Sequence, residues 1–354
     1  MSSLSPRALV FDWGDTLMVN FTQYDGPMAD WPQVQAVDGI AAALKALHGS
    51  CALYVGTNAQ ASSADQVRAA LGRVGLAQYL DGIFTFAELG ARKPQPQFFH
   101  NLAAQIQVPA EQIAMVGDEW KNDILGAHRA GWRSVWYNPT SRPAASLMPL
   151  QDVDLTHLSD LPQALAAGLP PSVETCLGWL WEQPFSFNLL NHVQLVAAAA
   201  YQLALWLRAR GETVSPVLTH RGGLLHDIAK LAARAQNLNH GELGGRILAE
   251  KGQPALAEIV RRHTMFTLLD PQFIPTTWEE KLVYFADKLV EGGQITPLSE
   301  RIAALKQRYQ IDPQHLDHLQ GPLQALQEEI CSAAGFPTDQ LIPRLREAFN
   351  APCA

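Results

Sequence analysis

The run Leu224-Leu225-His226-Asp227-Ile228-Ala229-Lys230 decides how the second half of the chain is interpreted. Its residues are apolar and compatible with a helix, yet a histidine and an aspartate stand side by side within it. A buried charge is costly unless it is paired or bound to a metal ion. Imidazole nitrogen with carboxylate oxygen suits Fe, Mn, Zn or Co rather than Ca. The dipeptide alone also fits a pair at a helix start that faces water, so neighbouring residues must decide.

Four residues with the same ligand chemistry lie in or beside helix-like segments on both sides of this run. They are His192, His240, His263 and Asp287. This order of histidines and aspartates resembles that of the HD-domain metal-dependent phosphohydrolases, over about residues 185–310. The pieces GLLHDIAK, RRHT and EEKLVYFADKLV carry the resemblance.

The resemblance implies a ligand set and a metal. The core ligands would be His192, His226, Asp227 and Asp287, and His240 with His263 would extend the site to a second ion. The implied metal is Fe or Mn, in a centre of one or two ions. Two bridged ions lower the pKa of a shared water and hold phosphate oxygens. His220 matches no family position, so we expect it to lie behind the ligands or at the surface.

The pattern is most similar to that of bacterial HD hydrolases that split diadenosine tetraphosphate symmetrically. Two positions depart from it: Leu189 stands where an arginine is usual, and Met265 follows His263-Thr264 where glycine is usual. Other HD hydrolases cleave nucleoside monophosphates, deoxynucleoside triphosphates or cyclic dinucleotides. The resemblance therefore implies hydrolysis of a phosphoester or phosphoanhydride in a small phosphorylated substrate, expected to be a nucleotide.

The first half of the chain alternates short apolar runs with helical stretches. The runs that we predict as strands are Ala8–Phe11, 52–55, 83–86, 113–116 and 134–137. This alternation predicts a doubly wound parallel sheet, whose ligand site lies beyond the carboxyl ends of the strands. Asp12, Thr57 and Asp118 all fall at such ends. The whole chain is therefore expected to be an α/β domain followed by an all-α domain.

Four motifs in residues 8–138 are similar to those of the haloacid dehalogenase-like hydrolases. In chain order they are FDWGDTL at 11–17, GTN at 56–58, RKP at 92–94, and GD at 117–118 with ND at 122–123. The resemblance implies that Asp12 attacks a phosphoryl group to form an aspartyl-phosphate, which water then hydrolyses.

The same resemblance assigns the remaining side chains of this site. Mg²⁺ would be held by Asp12, by Asp118 or Asp123, and by the carbonyl of Gly14. Lys93 would neutralise the crowded carboxylates and the phosphate. Thr57 would hold phosphate oxygens, with Asn58 beside it as a substrate-binding residue.

One departure leaves three interpretations of this domain open. Phosphatases of the family carry Asp-x-Asp-Gly-Thr, with the second aspartate as general acid, whereas here Gly14 holds that place and Asp15 follows it. Asp15 can serve as the acid in a working phosphatase, which is the interpretation that we favour. Alternatively the domain is a weakly active sensor that controls the HD site, or it is a dehalogenase, since those enzymes also lack the second aspartate.

The spacing of the motifs leaves no room for a large inserted cap domain. We expect residues 23–31 to form a loop beside the site. The site itself would be open to bulky substrates, or it would be closed by another domain or by another subunit of a homo-oligomer. The segment 168–172, with two prolines, is the predicted boundary between domains at 1–168 and 169–354. Residues 297–349 are expected to form two or three amphipathic helices. For Arg301 and Arg308 we favour surface positions, and the alternative is that they face the HD site.

Composition restricts the partners and the compartment. The 354 residues carry a net charge of −8, which disfavours a large nucleic-acid footprint. The apolar run from Leu195 to Leu207 is too short to span a bilayer, so no membrane association is expected. Four widely spaced cysteines, without a CxxC pair, indicate free thiols in a reducing cytoplasm.

Overall fold

The computed structural model describes residues 6–142, 148–309 and 313–350, with the side chains of 304–317 outside that description. The chain divides into two compact units. The first comprises residues up to 142 together with 150–169. The second comprises residues 143–149 together with 170 onwards.

Six strands form one parallel sheet within the described residues of the first unit. They are β1 Ala8–Phe11, β2 Ala52–Gly56, β3 Gly82–Phe84, β4 Ile113–Gly117, β5 Arg133–Tyr137 and β6 Val153–Leu155. Their order is β3-β2-β1-β4-β5-β6. Ala8 of β1 pairs with Ala52 on one side and with Ile113 on the other. Strand β1 is therefore central, and its carboxyl end lies between those of β2 and β4.

Helices cover both faces of this sheet. They are α1 Ile40–Leu47, α2 Ala64–Arg73, α3 Phe86–Leu89, α4 Pro96–Ile106, α5 Gly126–Arg129 and α6 Leu161–Ala166, with a π-helix at Trp120–Leu125. Leu9 and Phe11 pack into one apolar cluster, whereas Ala8 and Val10 pack into another. Alternate residues of β1 thus face two separate cores, as expected for a doubly wound sheet.

Two details of the sheet differ from the sequence prediction. The strand expected at residues 83–86 ends at Phe84, because Thr85 and Glu88 form a capping box that begins α3 at Phe86. Strand β6 was not predicted, since its three residues include Asp154 and show no apolar run.

The second unit is helical. Its helices are α7 Val173–Trp181, α8 Phe187–Ala209, α9 Pro216–Leu225, α10 Lys230–Gln236, α11 His240–Glu250, α12 Pro254–Arg261, α13 Trp278–Lys288, α14 Leu298–Tyr309, α15 Pro313–Ala334 and α16 Leu341–Asn350. Gly223 allows α8 and α9 to pack closely, because a Cβ atom there would lie 2.7 Å from the Cα of Ala197. This close packing brings His192 on α8 near the end of α9.

A short hairpin interrupts the helices after α13. It comprises β7 Val290–Glu291 and β8 Gln294–Ile295. The helix before the hairpin, α13, begins at Trp278, with Thr277 as its N-cap, and ends at Lys288. Among the described residues of the tail, α14, α15 and α16 account for the amphipathic helices that were expected. No helix in the described ranges combines the length and the apolar character that crossing a membrane requires.

Candidate active sites

The carboxyl edge of the parallel sheet gathers the polar residues of the first unit. Asp12 follows β1, Thr57 follows β2, and Asp118 follows β4. Because these three strands are neighbours, the side chains meet at one edge. They line a cavity of about 370 Å³ together with Gly14, Asp15, Asn58, Lys93 and Asp123.

Lys93 links two of the carboxylates. Its Nζ lies 2.5 Å from Oδ1 of Asp12 and 2.7 Å from Oδ1 of Asp123. The side chain is buried, and burial alone would lower its pKa. The charges of Asp12 and Asp123 outweigh burial and raise the pKa of Lys93 above its ordinary value. The lysine is therefore a permanent cation beside Asp12.

Asp123 reaches the site because a glycine lies beneath it. Its carboxylate accepts a hydrogen bond at Oδ2 from the Glu119 N–H, at 3.0 Å. A Cβ atom at Gly117 would lie only 2.2 Å from that same Oδ2. Only glycine at the end of β4 leaves room for Asp123, which is fully buried.

The carboxylates of this site fit a divalent cation. Asp12, Asp118 and Asp123 each offer an oxygen within 4.8 Å of the other two. Burial, together with the negative charge of Asp12, raises the pKa of Asp118 to about 6 and that of Asp123 to about 7. Such values indicate more negative charge than Lys93 alone offsets. Oxygen donors of this kind are the ligands that Mg²⁺ prefers, and the Gly14 backbone lines the same cavity.

Thr57 and Asn58 shape the opposite wall. The Thr57 hydroxyl accepts a hydrogen bond from the Ala59 N–H at 3.1 Å, within a tight turn. The Asn58 side chain donates to the Lys93 carbonyl at 3.0 Å and accepts from the Lys93 N–H at 2.8 Å. Asn58 was predicted to bind substrate, but here both ends of its amide hold the backbone of Lys93, so its visible action is to position the lysine.

Asp15 has an unusual backbone. Its φ is +56°, in the left-handed region, and its Oδ1 accepts a hydrogen bond from the Asn20 N–H at 2.9 Å. Asp15, and not the neighbouring Gly14, thus occupies the conformation that glycine favours. The side chain is exposed and lines the cavity.

The loop at residues 23–31 lies at the cavity, as predicted, through Gly26, Met28 and Trp31. It is held by Arg73 of α2. The Nη1 of Arg73 donates to the carbonyls of Trp31 at 2.6 Å and Ala29 at 3.0 Å. One guanidinium thus binds two carbonyls of the loop and ties the wall of the cavity to α2.

Five helix ends build the candidate metal centre of the second unit. His192 lies on α8, His226 and Asp227 follow α9, His240 begins α11, His263 follows α12, and Asp287 lies near the end of α13. The structure thus brings together all six residues that the sequence singled out. Three of them, His226, Asp227 and His263, are almost fully buried.

Asp227 lies between two groups of ligands. Its Oδ2 is 3.4 Å from Nε2 of His226 and 3.7 Å from Nε2 of His192. Its Oδ1 is 3.4 Å from Nε2 of His240 and 3.5 Å from Nε2 of His263. On the first side, Oδ1 of Asp287 also lies 3.0 Å from Nε2 of His192. A carboxylate that turns one oxygen to each group is suited to bridge two ions.

Backbone carbonyls orient two of the histidines. Nδ1 of His226 lies 2.7 Å from the Gly223 carbonyl, and Nδ1 of His263 lies 2.6 Å from the Val260 carbonyl. Because a carbonyl only accepts, each Nδ1 carries the proton. In the neutral ring this leaves the lone pair of Nε2 directed at the centre.

The electrostatics of the six residues differ in a way that suits metal binding. Burial, with the neighbouring His263, lowers the pKa of His240 to about 4, so this ring is neutral at pH 7. Burial works against ionisation of Asp227, but His226 lowers the pKa of the carboxyl well below its usual range. The pKa of His226 is raised to about 9, chiefly by Asp227 against the effect of burial. A proton therefore occupies the place that a cation would take.

Two buried atoms at this centre lack partners. Nε2 of His226 and Oδ1 of Asp227 make no hydrogen bond within the described residues. A buried polar atom without a partner is costly and requires an explanation. Both atoms point at the same centre and are suitable ligand atoms for Fe or Mn, so the residues fit the metal that the sequence implied.

Three cations around this centre were not assigned from sequence. Lys288 donates to Asp287, Lys230 donates to Oδ2 of Asp227 at 2.6 Å, and Arg301 lies 4.0 Å from Oδ1 of Asp287. The surface position expected for Arg301 is wrong, since only 8% of the residue is exposed. The side chain of Arg308 lies outside the described residues. His220 is buried, 2% exposed, and belongs to neither ligand group.

Comparison with known proteins identifies two different families, one in each of the two units of the chain. A model of the haloacid dehalogenase-like hydrolases matches residues 12–131, and a model of the HD domain matches residues 189–292. An uncharacterised protein, MJ0778 of Methanocaldococcus jannaschii, is 34% identical over 134 residues, which are 35% of this chain and 78% of that protein. The pyrimidine 5'-nucleotidase YjjG of Escherichia coli is 34% identical over 105 residues, 29% of this chain and 45% of that protein.

A solved structure is also similar to part of the chain. The putative HAD-hydrolase YfnB of Bacillus subtilis is 19% identical, with a TM-score of 0.38, and the match covers 45% of this chain and 98% of that one. The match to the pyrimidine 5'-nucleotidase YjjG spans less than half the length of that enzyme. By the two family models, residues 12–131 form a haloacid dehalogenase-like hydrolase domain and residues 189–292 form an HD domain.

Proposed function

We propose that the protein is a bifunctional phosphohydrolase with one site in each domain. The first domain hydrolyses a small phosphomonoester through an aspartyl-phosphate on Asp12, with Mg²⁺. The HD domain hydrolyses a nucleotide phosphoester or phosphoanhydride, with Fe or Mn at one or two positions. The observation that carries the proposal is the position of Asp227 between two groups of histidines, together with the unpartnered atoms at the same centre.

In the first domain, the reaction follows from the placement of Asp12. One of its oxygens attacks phosphorus, the bond from phosphorus to the leaving oxygen breaks, and water later cleaves the acyl phosphate to regenerate the carboxylate. Lys93 would neutralise negative charge next to the attacking group, and the hydrogen bonds of Asn58 position the backbone of Lys93. Asp12, Asp118 and Asp123 would hold Mg²⁺, which supplies charge stabilisation when bound. The relative named as a pyrimidine 5'-nucleotidase supports a phosphomonoester of nucleotide size.

In the HD domain, the six ligand residues would hold the metal, which supplies an activated water and binds phosphate oxygens. Asp227 turns Oδ2 to the group with His226 and Oδ1 to the group with His263, so it would contribute to both. The carbonyls of Gly223 and Val260 keep His226 and His263 in the tautomer that leaves Nε2 free to bind. Diadenosine tetraphosphate and nucleoside mono- or triphosphates are the substrates that we propose to test first.

A second candidate function is regulation of the HD site by the first domain. The observation that favours it is the hydrogen bond from Asn20 to Asp15, which uses the nearest carboxylate to shape a loop. In that case the first domain binds a phosphorylated ligand and turns it over slowly. Within the described residues, Cys51, Cys176 and Cys331 form no disulfide, which supports a reducing cytoplasm as the place of either function.

The test separates the two sites by substitution. The purified protein is assayed with Mg²⁺, Mn²⁺ or Fe²⁺ against a panel of nucleotides, sugar phosphates and a haloacid. Asp12→Asn should lower phosphomonoester hydrolysis by roughly 10³-fold or more and leave HD hydrolysis unchanged, whereas Asp287→Ala should do the reverse.

Two outcomes would count against the proposal. If metal-free protein retains full nucleotide hydrolysis, the HD centre is not the site of that reaction. If either substitution removes both activities in a protein that still melts cooperatively, the two sites are not independent. If the first domain hydrolyses a phosphomonoester slowly, and if that phosphomonoester changes the rate of the HD reaction, the result would favour regulation of the HD site by the first domain.

A further inference from the structure

Two cavities adjoin one another beside the HD metal centre. The first, of about 540 Å³, has among its lining residues His192, Lys230, Glu291 and Arg301. The second, of about 560 Å³, has among its lining residues Gln194, Leu195, Ala198, His220 and Leu224. Both are also lined by Asn191, Gly292 and Gly293. The shared residues make the two cavities neighbouring parts of one groove that begins at a metal ligand.

Arg301 is a buried cation in the first cavity with unused hydrogen-bonding capacity. Its Nη1 pairs with Glu291, and its Nη2 lies 4.0 Å from Oδ1 of Asp287, beyond a hydrogen bond. Its Nε is buried and has no hydrogen-bond partner among the described residues. A guanidinium offers a planar fork of donors that matches a phosphate. Arg301 lines this cavity, so an oxygen acceptor bound there would meet a guanidinium whose donors are only partly used.

The turn between β7 and β8 leaves the groove open. Gly292 and Gly293 both have positive φ, +56° and +78°, as a tight two-residue hairpin turn requires. A Cβ atom at either position would meet nothing within 4 Å. The two glycines therefore border both cavities without a side chain between them, so a ligand can extend from one cavity to the other.

The second cavity combines apolar walls with polar edges. Leu195, Ala198 and Leu224 supply the walls, and the amide of Gln194 supplies one edge. His220 supplies another: its Nδ1 accepts from Nη1 of Arg221 at 2.9 Å, because an arginine only donates. The proton is thus on Nε2, which makes this ring nitrogen a donor. Flat apolar walls with donors and an amide at the rim suit a nucleobase.

We propose that the two cavities form one nucleotide groove, in which Arg301 binds a phosphate oxygen and the cavity at Gln194 and His220 binds the base. This inference rests on the proposed function of the HD domain and assigns its substrate-binding residues. Glu291 holds Arg301 in place when no substrate is bound and gives it up to the phosphate. The ligand class is a nucleotide whose phosphates lie between Arg301 and the metal centre.

The test measures binding rather than turnover. The protein is loaded with Mn²⁺ and titrated calorimetrically with pyrophosphate and with ADP. Every sample carries Asp12→Asn, so that the first domain is the same throughout. Arg301→Gln should weaken both ligands by roughly tenfold or more, because a hydrogen bond to a charged group is lost. Gln194→Leu should weaken ADP several-fold and leave pyrophosphate unchanged. Arg246→Gln, which removes an exposed arginine of α11, is the matched control and should change neither.

Glu291→Gln keeps the test decisive if Arg301→Gln folds poorly. Removing the competing carboxylate should tighten the binding of both ligands, and an unstable protein would not do so. Unchanged pyrophosphate binding in a folded Arg301→Gln protein, or weaker binding in Glu291→Gln, overturns the phosphate assignment. Equal effects of Gln194→Leu on pyrophosphate and ADP overturn the base assignment. Normal binding without nucleotide hydrolysis would contradict the proposed function alone and leave this inference standing.

Discussion

Lys288 donates from Nζ to Oδ2 of Asp287 at 2.7 Å, and the same ammonium donates to the His263 carbonyl at 2.7 Å. One buried lysine thus occupies the outer oxygen of Asp287 and ties it to the segment that carries His263. The inner oxygen, Oδ1, is left facing His192 and His226. Lys288 therefore orients Asp287, which we propose as a metal ligand, without being a candidate ligand itself.

We expect Lys288→Met to lower the metal affinity of the HD centre by roughly 10–100-fold, as is usual when a residue that orients a ligand is removed. Without the ammonium, Asp287 can rotate and its buried outer oxygen loses its partner. Competition with a chromophoric chelator measures the affinity. Lys281→Met, at the start of the same helix, is the control and should leave it unchanged. Equal metal affinity in all three proteins would show that Lys288 has a packing role only.

Gly117→Ala should weaken Mg²⁺ binding in the first domain by roughly tenfold or more, because the new methyl group occupies the place of the Asp123 carboxylate. The Mg²⁺ dependence of phosphatase activity, with a calorimetric titration, is the measurement. Gly72→Ala on α2 is the control, since a Cβ there meets nothing within 4 Å. It should raise the free energy of unfolding by about 0.5–1 kcal/mol. Normal Mg²⁺ affinity in Gly117→Ala would exclude Asp123 as a ligand.

Acid should destabilise the second unit through His220. Burial and the adjacent Arg221 lower the pKa of His220 well below 6.5, so the folded protein keeps this ring neutral. As the pH falls below about 6.5, the unfolded chain binds a proton that the folded state refuses, and stability is lost. Between about pH 7.5 and 5.5 this costs roughly 1 kcal/mol.

The measurement for His220 is denaturant unfolding at both pH values. His220→Gln keeps an acceptor for Arg221 but does not titrate, so the acid loss should be smaller by that amount. His157→Gln, which changes a histidine of the other unit, is the control. An identical acid loss in wild type and His220→Gln would mean that His220 is protonated in the folded protein.

The sequence predicted the strands, and the residues that the fold brings together at each candidate site, better than it predicted the residues around those sites. Asp12, Thr57 and Asp118 were recognisable because each ends an apolar run, and position at a strand end is a local property. Arg301 was expected at the surface, where most arginines lie. Its burial depends on an ion pair with Glu291, and Glu291 lies in a hairpin that was not predicted from the sequence. The hydrogen bonds of Asn58 to the Lys93 backbone were not predicted, because they join segments that are distant in the sequence and that only the fold brings together.

The exchange of glycine and aspartate at positions 14 and 15 can be reversed by design. A Cβ atom at Gly14 would meet only Cβ of Asn20, at 3.9 Å, and the positive φ at position 15 suits glycine. Gly14→Asp/Asp15→Gly should therefore fold and place a carboxylate at the usual position of the general acid. If Asp15 is a poor acid in the native protein, the double variant should hydrolyse phosphomonoesters faster, by up to about 10²-fold. No gain would mean that the native arrangement is already competent.

Asp15→Asn tests the native acid directly. Asparagine tolerates the left-handed backbone and can still accept the Asn20 N–H bond, so the loop should keep its shape while the proton donor is lost. If Asp15 protonates the leaving oxygen, alkyl phosphates should lose roughly 10²-fold or more in turnover, because their leaving groups need the proton, and aryl phosphates should lose much less. The slope of log kcat/KM against leaving-group pKa, in wild type and variant, is the measurement. A slope that the substitution does not change removes Asp15 from proton transfer, and it then favours a first domain that senses a phosphorylated ligand.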